Sequence, residues 1–224
     1  MSQINATMVK SLRDRTGAGM MDCKNALVET AGDEEKAVEI IRKKGLAKVA
    51  KKAGAIAAEG VVHAYIHPGN RLGVLLELNC QTDFVARNEE FVQLADALGM
   101  QIASMTPLYV RRDDIPQADI DAQRAFFKEQ MDEEASKSGK TPPPQAIDKI
   151  LDGKINKWIS ESCLVDQPSI VNGDQNIQQC IDELTAKLGE KISIRRFVRF
   201  ELGEGIVTEK KDLAAEVAET LKGS

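Results

Sequence analysis

Apolar positions change period several times along the chain, and each change marks an element. Ile4, Met8, Val9 and Leu12 fall on one face of a helical repeat and predict a first helix. The run TGAG at 16–19 interrupts it, with two glycines suited to a tight interhelix turn. Met20, Met21, Ala26 and Leu27 predict a short second helix. Gly32 followed by Asp33 reads as a stop and an N-cap, with Glu34 and Glu35 where the helix dipole favours acids. The third helix offers Ala37, Val38, Ile40 and Ile41, then Leu46, Val49 and Ala50. Its C-terminal part carries Lys43, Lys44, Lys48, Lys51 and Lys52, matching the dipole. Such a unit is small for an independent core and is expected to be a compact bundle, loosely tethered.

The period then drops to two. Val61, Val62, Tyr65 and Ile66 lie in a β-compatible stretch over 56–66. A PGN turn at 68–70 precedes Leu72, Val74, Leu76 and Leu78, the signature of a hairpin. The opposite face, with Gly73, Leu75, Glu77 and Asn79, is only partly apolar. Asn88 reads as the cap of a helix whose Phe91, Leu94, Ala95, Leu98 and Ile102 pack on the sheet.

Pro107 ends that helix, and Ile115-Pro116 marks another boundary. A polar helix is predicted over 117–137, with Ala118, Ala122, Ala125 and Phe126 as its contacts. GKTPPP at 139–144 breaks it. Ile147, Ile150, Leu151, Ile155, Trp158 and Ile159 predict the next helix. Asp174 is the expected cap of a helix carrying Ile177, Ile181, Leu184 and Leu188. Residues 191–201 read as a strand, LGEG at 202–205 as a turn, and 209–222 as a last charged amphipathic helix. The order predicts an α+β fold, not repeated βαβ units.

Charge adds an asymmetry. Residues 1–53 carry 11 Lys or Arg and 7 acids, a net +4, while the remainder is net −9. A basic small unit could touch RNA or an acidic protein face, or be a solvated helix surface. The four cysteines, at 23, 80, 163 and 180, lack the paired short spacings of a zinc site, and there are two histidines. A reducing compartment fits, with no N-terminal signal-like run and no segment of membrane-spanning length.

Catalytic motifs are sparse. TGAGMMD lacks the Gly-Lys-Ser or Gly-Lys-Thr of a phosphate loop. His63 and His67 could share a strand face, but two residues do not make a metal site. Cys80 beside Asp83 raises a thiol nucleophile against an inert buried thiol. Asp83 could cap a turn, and Arg87 could pair with Asp83 or with a partner's acid. Phe84 is either core or a recognition knob. The stretch LNCQTDFVARNEEF at 78–91 runs from a strand end to a helix start, a connector able to hold such side chains toward a partner.

Three segments resemble the elongation factor Ts family. TDFVARNEEF at 82–91, preceded by ELNCQ at 77–81, resembles its second signature, and LRDRTGAGMMDCKNAL at 12–27 its first. GKINKWISESCLVDQP at 153–168 resembles the later region. Gln81 departs from the commoner Glu and puts a charge role there in doubt. The resemblance covers essentially the whole chain, at the length of the short bacterial or organellar forms.

The resemblance implies a fold and a function. An N-terminal ubiquitin-associated-like three-helix domain over 1–53 would precede an α+β core with antiparallel sheet over 54–205 and a C-terminal helical element over 206–224. The implied activity is non-enzymatic exchange of GDP for GTP on elongation factor Tu during translation elongation. Thr82, Asp83, Phe84 and Val85 would disturb the partner's magnesium. Arg13, Thr16, Gly17, Met20 and Arg87 would dock it. No cofactor or metal of its own, no membrane and no direct nucleic-acid binding is required, and a homodimer stays open. The expected location is the cytoplasm, or the matrix or stroma for an organelle form. The other class considered is an RNA-binding or ribosome-associated adaptor, with a thiol enzyme third.

Overall fold

The computed structural model describes residues 4–139 and 143–206; the helix expected over 209–222, and part of GKTPPP, lie outside the described residues. Three helices come first, α1 (Ala6–Thr16), α2 (Met20–Glu29) and α3 (Glu34–Lys52). Asn5 caps α1, its Oδ1 accepting from Met8 N at 2.9 Å, and Asp33 caps α3 by accepting from Lys36 N at 3.1 Å. Gly17 closes α1 in the left-handed region, φ 64°, where a side chain would be strained. Val9, Leu12, Cys23, Ala26, Leu27 and Ala37 meet as a small core of their own.

The hairpin forms as its period predicts. Strands β1 (Glu59–Ile66) and β2 (Leu72–Cys80) pair antiparallel, Glu59 opposite Cys80 and Ile66 opposite Gly73. The connector then turns through α4 (Asp83–Ala86) into α5 (Glu89–Met105). Helices α6 (Gln117–Ser138), α7 (Pro144–Ser162) and α8 (Ile177–Leu188) follow. Strand β3 (Ser193–Glu201) returns to the free edge of β2, so β2 is central. A bulge at Glu77/Leu78 sets Arg195 and Arg196 on Glu77, at 2.9 and 2.8 Å. Their hydrogen bonds hold the Glu77 carboxyl below the usual carboxylate range.

The main core lies between the sheet and the helices. Val74, Leu76 and Leu78 of β2 and Ile194 of β3 meet Phe91, Ala95, Leu98 and Ile102 of α5, with Ile177 and Ile181 of α8 alongside. Buried Gln101 and Gln167 satisfy each other, Gln101 Nε2 donating to Gln167 Oε1 at 3.2 Å. No described helix is long and apolar enough to cross a membrane.

Several expectations need correction. Only Val49 of the late α3 positions is half-buried; Leu46 and Ala50 are exposed. The reason is Gly45, where an added Cβ would stand 3.4 Å from Ala186 of α8, so the contacting face turns toward 45 and 49. The three-helix unit is therefore packed on α8 and not loosely tethered. Ala118, Ala122, Ala125 and Phe126 of α6 are exposed, while Met131 is buried and Phe127 half-buried. The cap of α8 is Asn176 in place of Asp174, through a reciprocal capping box with Gln179.

Candidate docking site

Strand β2 ends at Cys80, and the chain makes one helical turn before α5 begins. That turn, α4, presents Asp83 and Phe84 outward and Val85 and Ala86 toward the core. Phe84 is 83% exposed, while Phe91, a few residues on, is fully buried. The choice left open at Phe84 falls on a surface knob, not on core.

Four residues make no stable helix on their own, so the turn must be held from outside. Thr82 caps it, its hydroxyl oxygen accepting from Val85 N at 3.5 Å. The same hydroxyl donates to Glu190 Oε1 at 2.7 Å. Glu190 Oε2 accepts from the backbone N–H of Gln81 at 3.1 Å and of Thr82 at 3.0 Å. Asp83 therefore does not cap the turn; it pairs with Arg87 at 3.0 Å, an exposed bridge worth little to stability but able to orient both side chains.

Gln81 has a structural task. Its Oε1 accepts from Lys191 N at 3.1 Å and from Lys52 Nζ at 3.4 Å, tying the strand end to the chain after α8 and to α3. Lys191 Nζ in turn donates to Ala53 O and Ala55 O.

The first signature stands on the same support. Gly17 faces Lys187 of α8, where an added Cβ would meet the lysine's Cδ at 3.6 Å. Lys187 also pairs with Glu90 at the start of α5. Arg13 is exposed and has no ion-pair partner among the described residues. Thr16 donates its hydroxyl to Leu12 O at 2.7 Å, a structural role. Met20 and Met21 are 52% and 66% exposed. Lys44 and Lys48 pair with Glu29 and Asp22, so part of the basic face is neutralised within the unit.

The catalytic alternatives thin out. Cys80 is buried, donates to Thr82 O at 3.1 Å, and has its thiol pushed up by burial and then by the Glu190 charge. A neutral thiol is a poor nucleophile. His63 contacts Asp96 at 2.8 Å, and His67 Nδ1 meets the Tyr65 hydroxyl at 3.0 Å. Among the described residues no group of three or more His, Cys, Asp or Glu could hold a metal ion.

Reading by sequence missed Glu190. It lies 108 positions from Thr82, and a lone acid between a helix stop and a strand carries no signal of what it will hold.

A braced, solvent-facing aromatic on the α4 turn marks an α+β protein that offers a contact surface. Comparison with known proteins says which kind. The family model described as elongation factor TS matches residues 5–204. The chain is 52% identical to elongation factor Ts of Desulforamulus reducens, over 99% of this chain and 100% of that protein. It is 53% identical to elongation factor Ts of Carboxydothermus hydrogenoformans, over 98% of each. The chain belongs to the elongation factor Ts family, the exchange factors of translation elongation.

Proposed function

We propose that this chain is a non-enzymatic guanine-nucleotide exchange factor for elongation factor Tu. It binds the GDP-bound partner, disturbs its magnesium and phosphate site, and leaves a nucleotide-free complex into which GTP enters. The observation that carries this reading is Phe84, 83% exposed on a one-turn helix fixed from beneath. Phe84 is the wedge. Asp83 makes the polar contacts that alter the magnesium surroundings, Thr82 and Val85 hold the turn's shape, and Arg87 orients Asp83. Magnesium neutralises phosphate charge, so disturbing its coordination weakens the hold on GDP.

Energetics require more than one contact. A factor that weakens GDP binding about thousandfold must itself be weakened as much by GDP, a coupling of roughly 4 kcal/mol. One well-packed aromatic supplies about 2 kcal/mol or more. Arg13, Thr16, Gly17 and Met20 are assigned to a second docking surface, on a domain spanning 1–53. The core over 54–205 carries the wedge, and 206–224, which lies almost wholly outside the described residues, supplies a further contact. The exchange takes place in the cytoplasm.

Titration of the chain into elongation factor Tu loaded with fluorescent GDP should accelerate release saturably. Release that stays at the spontaneous rate at every concentration overturns the reading. RNA binding in the absence of that partner, weakening steeply with salt, would favour the adaptor class.

A further inference from the structure

We infer that Glu190 is the positioning residue that aims Phe84, an inference that rests on the exchange reading above. The turn carrying Phe84 spans only Asp83–Ala86, so its direction is imposed at its ends. The N-terminal end is Thr82, two residues before the ring. Three donors there go to one carboxylate: Thr82 Oγ1 to Oε1, and the Gln81 and Thr82 N–H groups to Oε2, at 2.7, 3.1 and 3.0 Å. Charge-assisted bonds of this kind are short and directional.

Glu190 is itself fixed. Gly189 ends α8 in the left-handed region, φ 74°, and turns the chain back toward β2. Lys191 then anchors the next residue through Gln81 Oε1 and the carbonyls of Ala53 and Ala55. The carboxylate is thus held from its own side before it holds the turn. Without it, two backbone N–H groups and a hydroxyl lose their acceptor and the turn frays. Phe84 then samples many directions, while the other docking surface remains.

The test is a cycle of Phe84→Ala, Glu190→Ala and the double variant, read as fluorescent GDP release against factor concentration. Glu190→Ala should lower the maximal release rate about tenfold, with the half-saturating concentration moved less than about twofold. The double variant should release no more slowly than Phe84→Ala alone, since Glu190 acts through that ring. Glu190→Gln, which keeps an acceptor oxygen for the two N–H groups, should recover part of the rate. In the free chain, Glu190→Ala should speed hydrogen exchange at Gln81 and Thr82 while Leu76 and Leu98 stay protected. If Glu190→Ala does not fold, Thr82→Val removes the hydroxyl's bond to Glu190 together with its weaker cap on Val85 N and should slow release in the same direction. A silent Glu190→Ala beside a slow Phe84→Ala, or effects that multiply in the double variant, overturns the inference and leaves the exchange reading standing. A silent Phe84→Ala removes the wedge role and the inference with it, while the exchange reading rests on the wild-type titration.

Discussion

Burying a phenyl ring stabilises a fold by roughly 2 kcal/mol, and Phe91 is fully buried while Phe84 is not. The difference comes from one turn of backbone, which puts Val85 and Ala86 inward and leaves the outward direction to Asp83 and Phe84. The motif TDFV marked these residues, but nothing in the local pattern separated a core phenylalanine from a protruding one. The capping of α3 by Asp33 and of α5 by Asn88 was legible because a cap is a local event. Glu190 was not, because its partners come from a distant strand end. Buried thiols carry a prediction at this scale. Burial, then Asp166, pushes Cys163 from 9.0 up to about 11. The folded state therefore keeps the proton that the unfolded chain gives up. Stability from this group is complete below the unfolded value and lost as pH rises through the folded one. Urea unfolding should show lower stability at about pH 10.5 than at about pH 8, with a smaller drop in Cys163→Ala. Equal drops would remove Cys163 as the cause.

Elements follow their hydrophobic period closely where one face is buried. The hairpin, α5 and α8 stand where alternation or helical spacing placed them. Helix α6 shows the limit. Its alanines looked like contact positions, yet they are exposed, and the helix meets α7 through Lys154, 5.7 Å over the Phe127 ring, and through the Arg124–Asp152 pair. A helix with a polar repeat and few buried positions gives period reading too little contrast. The bulge that places two arginines on Glu77 was likewise invisible, since one extra residue leaves alternation nearly intact. Packing of α5 on the sheet depends on a missing side chain. A Cβ at Gly99 would stand 2.6 Å from Tyr65 Cβ and 3.6 Å from Leu76 Cδ2. Gly99→Ala should destabilise the chain by about 1–3 kcal/mol through this overpacking. Urea unfolding at matched slope checks it; an unchanged midpoint would show that α5 shifts freely on the sheet.

At the scale of the molecule, the end of α8 and the residues just after it join the parts. Lys187 reaches Gly17 and Glu90, Glu190 holds Gln81 and Thr82, and Lys191 binds the chain leaving α3. Both signatures thus stand on one support, which composition and periodicity could not reveal because each of these contacts is long-range. Gln81 accepts from Lys191 N and Lys52 Nζ through an uncharged oxygen, so the support needs no charge at this position. The charge asymmetry is likewise partly internal, since Lys44 and Lys48 meet acids of α2. In the exchange role proposed above, this support lets one exposed ring work on another protein. The most direct measurement is stopped-flow release of labelled GDP from elongation factor Tu under saturating wild-type chain and saturating Phe84→Ala. Release should be slower by about tenfold or more with the variant, at an unchanged unfolding midpoint, because the ring is absent from the folding core. Equal release rates from two equally folded proteins would contradict it.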